Sequence, residues 1–286
     1  MTVLEVIQRS ADYLAKKGVE SPRLQIELLL AHVLQMPRLK LYLNFERPLA
    51  EAELAALREL VRRRSNREPL QHLVGSVSFC GFEIAVNRAV LIPRPETELL
   101  AERAWQFLST SNSQPSTCLD FGTGSGCLAI AIAAKCPTAT VTALDVSPEA
   151  IEVARANVER NGVANRVQFV CGEGLTALLA ATRFDLIVAN PPYVPTAEIA
   201  VLEPEVRDFD PRRALDGGTD GLDCIRQLAA GGAALLQSHG CLMLEFGDGQ
   251  GGAVKAVFDA GGWRTEAPVA DLSGRARFLI ARPPAT

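Results

Sequence analysis

Asn190, Pro191, Pro192 and Tyr193 follow directly on a short apolar run, residues 186–189. Asn190 offers an amide oxygen, and Pro191 offers a carbonyl whose direction its ring helps to fix. Two such acceptors can hold both hydrogens of a planar NH2 group, and Tyr193 supplies an aromatic wall beside it. That pocket suits an amide or exocyclic amine that must present its nitrogen to an electrophile. Upstream, glycines 122, 124 and 126 remove three side chains from one turn, so a ligand can approach the backbone closely. Their spacing is Gly-x-Gly-x-Gly, which differs from the Gly-x-Gly-x-x-Gly of dinucleotide sites. Asp145 can accept hydrogen bonds from two vicinal ribose hydroxyls, and Glu173 can accept from an adenine amino group. In this order, the glycine turn, the two acids and the Asn-Pro-Pro-Tyr tetrapeptide describe S-adenosylmethionine beside a pocket for a flat nitrogen.

The elements that must position these residues are legible in outline. The run before Asn190 reads as a strand buried on both faces, and two prolines cannot continue a ladder. The tetrapeptide therefore stands at a strand's carboxyl end, where open α/β sheets bind their ligands. Strands are expected at 117–121, 140–144, 167–171, 186–189 and 241–246. Helices fall between them, through Ile130 and Ile132, from the Ser147-Pro148 cap to Gly162, over 222–230 and over 254–260. This alternation implies a parallel α/β sheet, and two last strands near 263–267 and 278–281 read as an antiparallel edge. Ahead of it, residues 1–75 read as a small all-helical domain of about four helices. It opens on the capping-box pattern Thr2-Val3-Leu4-Glu5, and Ser21-Pro22 reads as a cap and first-turn proline for the second helix. Alternating residues between Val74 and Val90, broken at Cys80-Gly81, give a β-hairpin linker over 76–92. The second domain then covers 93–286, with a polar loop at 109–116.

Composition narrows the function classes. Hydrophobic residues make up 48% of the 286 and charged residues 22%, with a net charge of −4. That is an ordinary globular composition, and its sign opposes wholesale wrapping of nucleic acid. No apolar run reaches the length of a membrane span, and no secretion or transit layout opens the chain, so a cytoplasmic protein is expected. Seven cysteines without a Cys-x-x-Cys pair suggest reduced thiols, and three isolated histidines offer no metal-ligand spacing, so no metal is expected.

Taken together, the chain resembles the HemK/PrmC family of release-factor glutamine N5-methyltransferases, which are class I, Rossmann-like enzymes. The matching residues are Ile-Pro-Arg-Pro-Glu-Thr-Glu (92–98), Gly-Thr-Gly-Ser-Gly (122–126) and Asn-Pro-Pro-Tyr (190–193). Glu-Val-Arg-Asp-Phe (205–209) and Ala-Leu-Asp-Gly-Gly (214–218) match as well, and the resemblance covers essentially the whole chain. It implies a helical substrate-recognition domain and a mostly parallel sheet with an antiparallel edge. It also implies an S-adenosylmethionine site at Gly122, Thr123, Gly124, Ser125, Gly126, Asp145, Glu173, Gly174 and Asn190. Asn190, Pro191, Pro192 and Tyr193 would then hold the substrate glutamine, with Asn190, Pro191 and Tyr193 as the catalytic set. The implied substrate is the glutamine of the Gly-Gly-Gln tripeptide in class 1 release factors; independently of the resemblance, a monomer with no direct nucleic-acid contact is expected. Glu173 and Gly174 depart from the family pattern, where aspartate and a larger side chain are expected.

Several stretches admit two readings. The arginine-rich segment 62–67 is a helix end complementing the dipole or a contact for a negative partner. Residues 93–98 are a helix start or a wall over the cofactor's methionine end, with Thr97 or Glu98 in contact. The acidic stretch 203–210 is a surface loop or part of a substrate rim. A DNA adenine-N6 methyltransferase would use the same pocket, but duplex base flipping calls for a larger basic surface. A non-catalytic nucleotide-binding docking module would not need Asn190 and both prolines.

Overall fold

The computed structural model describes residues 1–110 and 115–284, and the chain divides into two compact units. Part of the expected 109–116 loop therefore lies outside the described residues; its first two positions complete a helix.

The first unit comprises Met1–Ser76 and Glu203–Phe209. It contains α1 (Val3–Lys16), α2 (Pro22–Val33), α3 (Arg38–Leu41), α4 (Glu51–Ser65) and α5 (Leu70–Val74). The capping box at α1 forms as its sequence dictates: the Thr2 N–H donates to Glu5 at 3.0 Å, and the Glu5 N–H donates to Thr2 Oγ1 at 3.3 Å. Ser21 behaves differently. It precedes Pro22 at the start of α2, but its φ is 44° and its side chain makes no capping bond. The expected side-chain cap is thus replaced by a left-handed turn, and Pro22 begins the helix by its fixed φ. Ile7, Leu14, Ile26, Leu29, Leu30 and Leu57 form the buried centre of this unit.

The arginines at the end of α4 and just beyond it are committed within their own unit. Arg62 bonds Glu59 and Arg63 bonds Glu68, while Arg64, 4% exposed, donates to Glu205 at 2.8 Å. Arg67 donates to Glu205 at 2.6 Å and to Glu203 at 3.1 Å. The negative partner considered from sequence is therefore the returning segment Glu203–Phe209 of the same chain. Burial opposes ionisation of Glu205, but Arg67 and Arg64 outweigh it and hold the carboxyl below its ordinary value. Glu205→Ala would leave Arg64 enclosed without a counter-ion, a loss of about 2–3 kcal/mol after allowing for partial exposure. Amide hydrogen exchange should then speed up throughout α4, and an unchanged exchange pattern would show the pair to be dispensable.

The second unit, from Val77 onward, takes up the hairpin β1 (Ser76–Phe79, its first residue still in the first unit) and β2 (Phe82–Ala85), then α6 (Pro95–Thr110). After these come β3 (Thr117–Phe121), α7 (Cys127–Lys135), β4 (Thr140–Asp145), α8 (Pro148–Arg160), β5 (Val167–Cys171) and β6 (Phe184–Ala189). Two single-turn helices follow: α9 (Pro204–Arg207), which belongs to the first unit, and α10 (Arg212–Leu215). The chain ends with α11 (Asp223–Gly231), β7 (Leu236–Glu245), α12 (Gly251–Ala260), β8 (Arg264–Thr265), β9 (Val269–Ala270) and β10 (Ala276–Arg282).

The main sheet has the order β5-β4-β3-β6-β7-β10-β8, with β9 also pairing β10. Strands β3 to β7 run parallel, while β10 is antiparallel to β7 and carries the two short edge strands. Successive residues of one strand enter opposite cores. Leu186 and Val188 join Leu100 of α6, Ile130 of α7 and Val158 of α8, whereas Ile187 and Ala189 join Ile225 of α11 and Phe258 of α12. Coverage on both faces is the reason these strands read as continuous apolar runs. The hairpin packs into the first of these cores through Phe79, Ile84 and Val86. It is tied further by Asn157, whose side chain accepts from the Ala85 N–H at 2.8 Å and donates to the Ala85 carbonyl at 2.9 Å. Among the described residues, no helix is long and apolar enough to cross a membrane.

Candidate active site

Register brings the chemistry together. Phe121 of β3 is paired with Leu144 of β4 on one side and with Ala189 of β6 on the other. Ala189 is in turn paired with Leu244 of β7. The residues that follow these four, Gly122, Asp145, Asn190 and Glu245, consequently stand in one row along the carboxyl edge. Neighbours in such a row are about 4.8 Å apart. The chain runs outward from β3 in both directions, so this row occupies the topological switch point of the sheet.

The glycine turn has a particular construction. Gly122, Gly124 and Gly126 have φ of 72°, 52° and 81°, a region side chains disfavour. A Cβ at Gly122 would meet nothing within 4 Å, so that face of the turn is open; one at Gly126 would meet Ala154 at 3.2 Å. The first glycine thus permits close approach by a ligand, while the last permits close packing on α8. Most of the turn's donors are already engaged. The N–H groups of Gly122 and Thr123 reach the Leu144 carbonyl, that of Gly124 reaches Asp145 Oδ2 at 2.8 Å, and that of Gly126 reaches Thr123. A phosphate cradle needs such donors free, so the turn favours a ligand that approaches closely and carries no phosphate there.

Thr123 and Ser125 face inward. They are 5% and 2% exposed; Thr123 Oγ1 donates to Asp120 Oδ2 at 2.6 Å, and the Ser125 carbonyl accepts from Asn157 at 2.9 Å. Contact between these two and a ligand would therefore run through backbone. Asp120, which also accepts from the Ala129 N–H at 3.1 Å, shapes the turn from beneath, and burial pushes its carboxyl up to about 7. Nothing in the spacing singled out Asp120; its signal was a lone acid inside the apolar strand Cys-Leu-Asp-Phe.

Asp145 is aimed by two backbone donors, Gly124 at Oδ2 and Ser147 at Oδ1, the latter at 2.9 Å. Each oxygen keeps a lone pair for a further donor. Glu173 lies two residues beyond β5, beside the strand that carries Asp145, and Gly174 has φ of 59°, a conformation a larger side chain would resist.

On the other side of Gly122, the Asn190 amide is held from behind. Its Nδ2 donates to Thr97 Oγ1 at 3.1 Å, and Thr97 Oγ1 donates to Glu245 Oε2 at 2.7 Å. With Nδ2 so engaged, Oδ1 is the Asn190 atom that remains to accept from a ligand. Thr97 and Glu245 are each 2% exposed. Burial, against the Thr97 hydrogen bond and Arg277, pushes the Glu245 carboxyl up to about 7. Burial and then Glu245 push the Tyr193 hydroxyl up to about 12, so it stays protonated at neutral pH. Glu98, the alternative contact to Thr97, instead accepts from the Cys80 N–H at 2.9 Å and anchors the hairpin turn.

The proline tetrapeptide is braced by the segment 214–218. The Val194 N–H donates to Leu215, and the Gly217 N–H donates back to Val194, both at 2.9 Å. A Cβ at Gly217 would stand 2.8 Å from the Pro192 carbonyl oxygen and equally close to Gly221, so only glycine allows this approach. Gln250 completes the brace, donating to the Tyr193 carbonyl at 2.8 Å and accepting from the Gly247 N–H at 2.8 Å. Arg94 donates to the buried carboxylate of Asp210 at 2.6 Å and fixes the backbone that leads into α6.

Residues 5–75 match the family described as PrmC N-terminal domain, and residues 98–203 match the methyltransferase small domain. A methyltransferase structure from Pyrococcus furiosus superposes with a TM-score of 0.52 at 22% identity, covering 72% of this chain and 90% of that one. That likeness establishes the Rossmann-like methyltransferase fold. The open glycine turn, its engaged donors and the aimed Asp145 carboxylate fit S-adenosylmethionine, which is the cofactor of this enzyme. The release factor glutamine methyltransferase of Geobacter sulfurreducens is 45% identical over 92% of this chain and 90% of its own length. The protein of the same name from Cereibacter sphaeroides is 37% identical over all of both chains. Sharing such identity along nearly its whole length, the chain belongs to the family of release factor glutamine methyltransferases.

Proposed function

We propose that this protein transfers a methyl group from S-adenosylmethionine to the side-chain amide nitrogen of the glutamine in the Gly-Gly-Gln tripeptide of class 1 release factors. The observation that carries the reading is the orientation of Asn190, with its amide NH2 turned toward Thr97 and its oxygen left to accept, in the same row as Gly122 and Asp145. Gly122, Gly124 and Asp145 would hold the cofactor, with Asp145 accepting from its ribose hydroxyls; Glu173 and Gly174 are assigned to the adenine end. When bound, the cofactor supplies a methyl already activated by a positively charged sulfur.

A glutamine amide nitrogen is a weak nucleophile because its lone pair is delocalised into the carbonyl. Asn190 Oδ1 and the Pro191 carbonyl accept its two N–H bonds, and Pro192 and Tyr193 fix the plane in which it lies. Positioning of this kind supplies as much as ~7–11 kcal/mol in well-oriented systems. The proton is acidic only as the new N–C bond forms, and it leaves to water. Tyr193 remains protonated, so no general base is assigned.

The helical domain of residues 1–75 is read as the part that recognises the protein substrate, and the enzyme as a cytoplasmic monomer. Self-neutralisation of the arginines at 62–67 supports the absence of a direct nucleic-acid contact. Burial pushes the thiols of Cys80, Cys127, Cys224 and Cys241 up to about 12, which disfavours their reactive thiolate form.

The test offers methyl-labelled S-adenosylmethionine with purified class 1 release factors, a Gly-Gly-Gln peptide and DNA in parallel, followed by peptide mapping. Label is expected on the tripeptide glutamine. Label on DNA and none on glutamine would replace this reading with adenine-N6 methylation.

A further inference from the structure

An asparagine amide can present either its oxygen or its NH2 to a ligand, because half a turn about the last side-chain bond exchanges them. At Asn190 the choice is settled behind the pocket, by which way one hydroxyl proton points. We propose that Glu245, acting through the Thr97 hydroxyl, is a positioning residue that locks the Asn190 amide with its oxygen toward the substrate. The inference rests on the reading of Asn190 Oδ1 as an acceptor for the substrate amide.

The geometry runs as a relay of three groups on three elements: β6 ends at Ala189 beside Leu244 of β7, and Thr97 lies in the first turn of α6. An ionised carboxylate can only accept. Glu245 therefore draws the Thr97 proton to itself at 2.7 Å, and Thr97 Oγ1 must then accept, which it does from Asn190 Nδ2 at 3.1 Å. If position 245 could donate, the relay could run in reverse. Thr97 would then donate to Asn190 Oδ1, and the NH2 would turn toward the substrate's own NH2, where donor meets donor. Both supporting side chains are nearly fully buried, so water cannot readily substitute for either.

The charged and titratable groups facing Glu245 are Arg277 on β10, Glu96 and Arg94 at the start of α6, and Tyr193. Arg277 also pairs with Asp271 at 3.5 Å, and Arg94 with Asp210 at 2.6 Å. The two arginines favour the ionised carboxylate and Glu96 opposes it, while burial raises the carboxyl to about 7. The acceptor form of Glu245 is thus the form above neutral pH, and it is lost as pH falls through that value.

Glu245→Gln should lower kcat roughly 10–100-fold, the scale on which outer hydrogen-bond partners of a site act, with cofactor affinity unchanged. Wild-type kcat should fall as pH drops through about 7, and this step should disappear in E245Q. Thr97→Ser, which keeps the hydroxyl, should retain turnover, whereas Thr97→Val should behave like E245Q. A readout in the free protein needs neither cofactor nor substrate: by NMR at one alkaline pH, the Asn190 side-chain NH2 protons should be protected from exchange in wild type and lose protection in E245Q. Wild-type turnover and wild-type NH2 protection in E245Q would overturn the proposal, and so would equal kcat in the Thr97→Ser and Thr97→Val proteins. If wild type methylates no glutamine yet the NH2 protection pattern holds, the relay stands and the substrate assignment fails.

Discussion

Replacing Asn190 by alanine should cut turnover at least ~100-fold while leaving S-adenosylmethionine binding nearly unchanged. The reason lies in how few groups define the substrate nitrogen. Pro191 contributes one carbonyl, and Asn190 contributes the only side-chain acceptor that stands in the row between Gly122 and Glu245. With one acceptor gone, the amide can rotate about the remaining hydrogen bond, and the in-line approach of its nitrogen is populated only in passing. A hundredfold loss corresponds to about 2.7 kcal/mol, well within what orientation contributes to a bimolecular transfer. Single-turnover rates at saturating cofactor and substrate, set beside calorimetric cofactor binding, separate the two effects. Near-normal turnover on a release factor would remove Asn190 from the reaction altogether.

Asp145→Ala should do the reverse, weakening cofactor affinity by roughly 10²–10⁴-fold while kcat at saturating cofactor stays close to wild type. Two charge-assisted hydrogen bonds to ribose contribute about 1.5–3 kcal/mol each, and each 1.4 kcal/mol is tenfold in affinity. The same carboxylate also holds the N–H groups of Gly124 and Ser147 at 2.8 and 2.9 Å, so its removal loosens the glycine turn as well. Asp145→Asn, which retains one acceptor oxygen, should fall between the two. Unaltered cofactor binding in the alanine protein would assign the ribose to another group.

These opposite effects come from residues that sit in one row, two places apart, and the row itself was not written in the chain. What the sequence determined by itself was local. Alternation, caps and prolines act within a few residues, so the spans of β3 and β5, the capping box at Thr2 and the strand stop at Pro191 could be read directly. The residue types at Gly122, Asp145 and Asn190 likewise carry their chemistry wherever the fold puts them.

Tertiary structure decided the remainder, because register and burial are set by partners far away in the chain. Pairing of Leu144, Phe121, Ala189 and Leu244 across four strands aligned the site residues and brought in Glu245, which in sequence is one acid at the end of an apolar strand. Thr97 found Asn190 from 93 residues away, and Arg67 found Glu205 from 138. The same forces turned the side chains of Thr123 and Ser125 inward, in a turn that the family resemblance assigned whole to the cofactor site. A hydrogen bond between distant residues forms only when the tertiary fold has fixed both ends, and no local pattern encodes that distance.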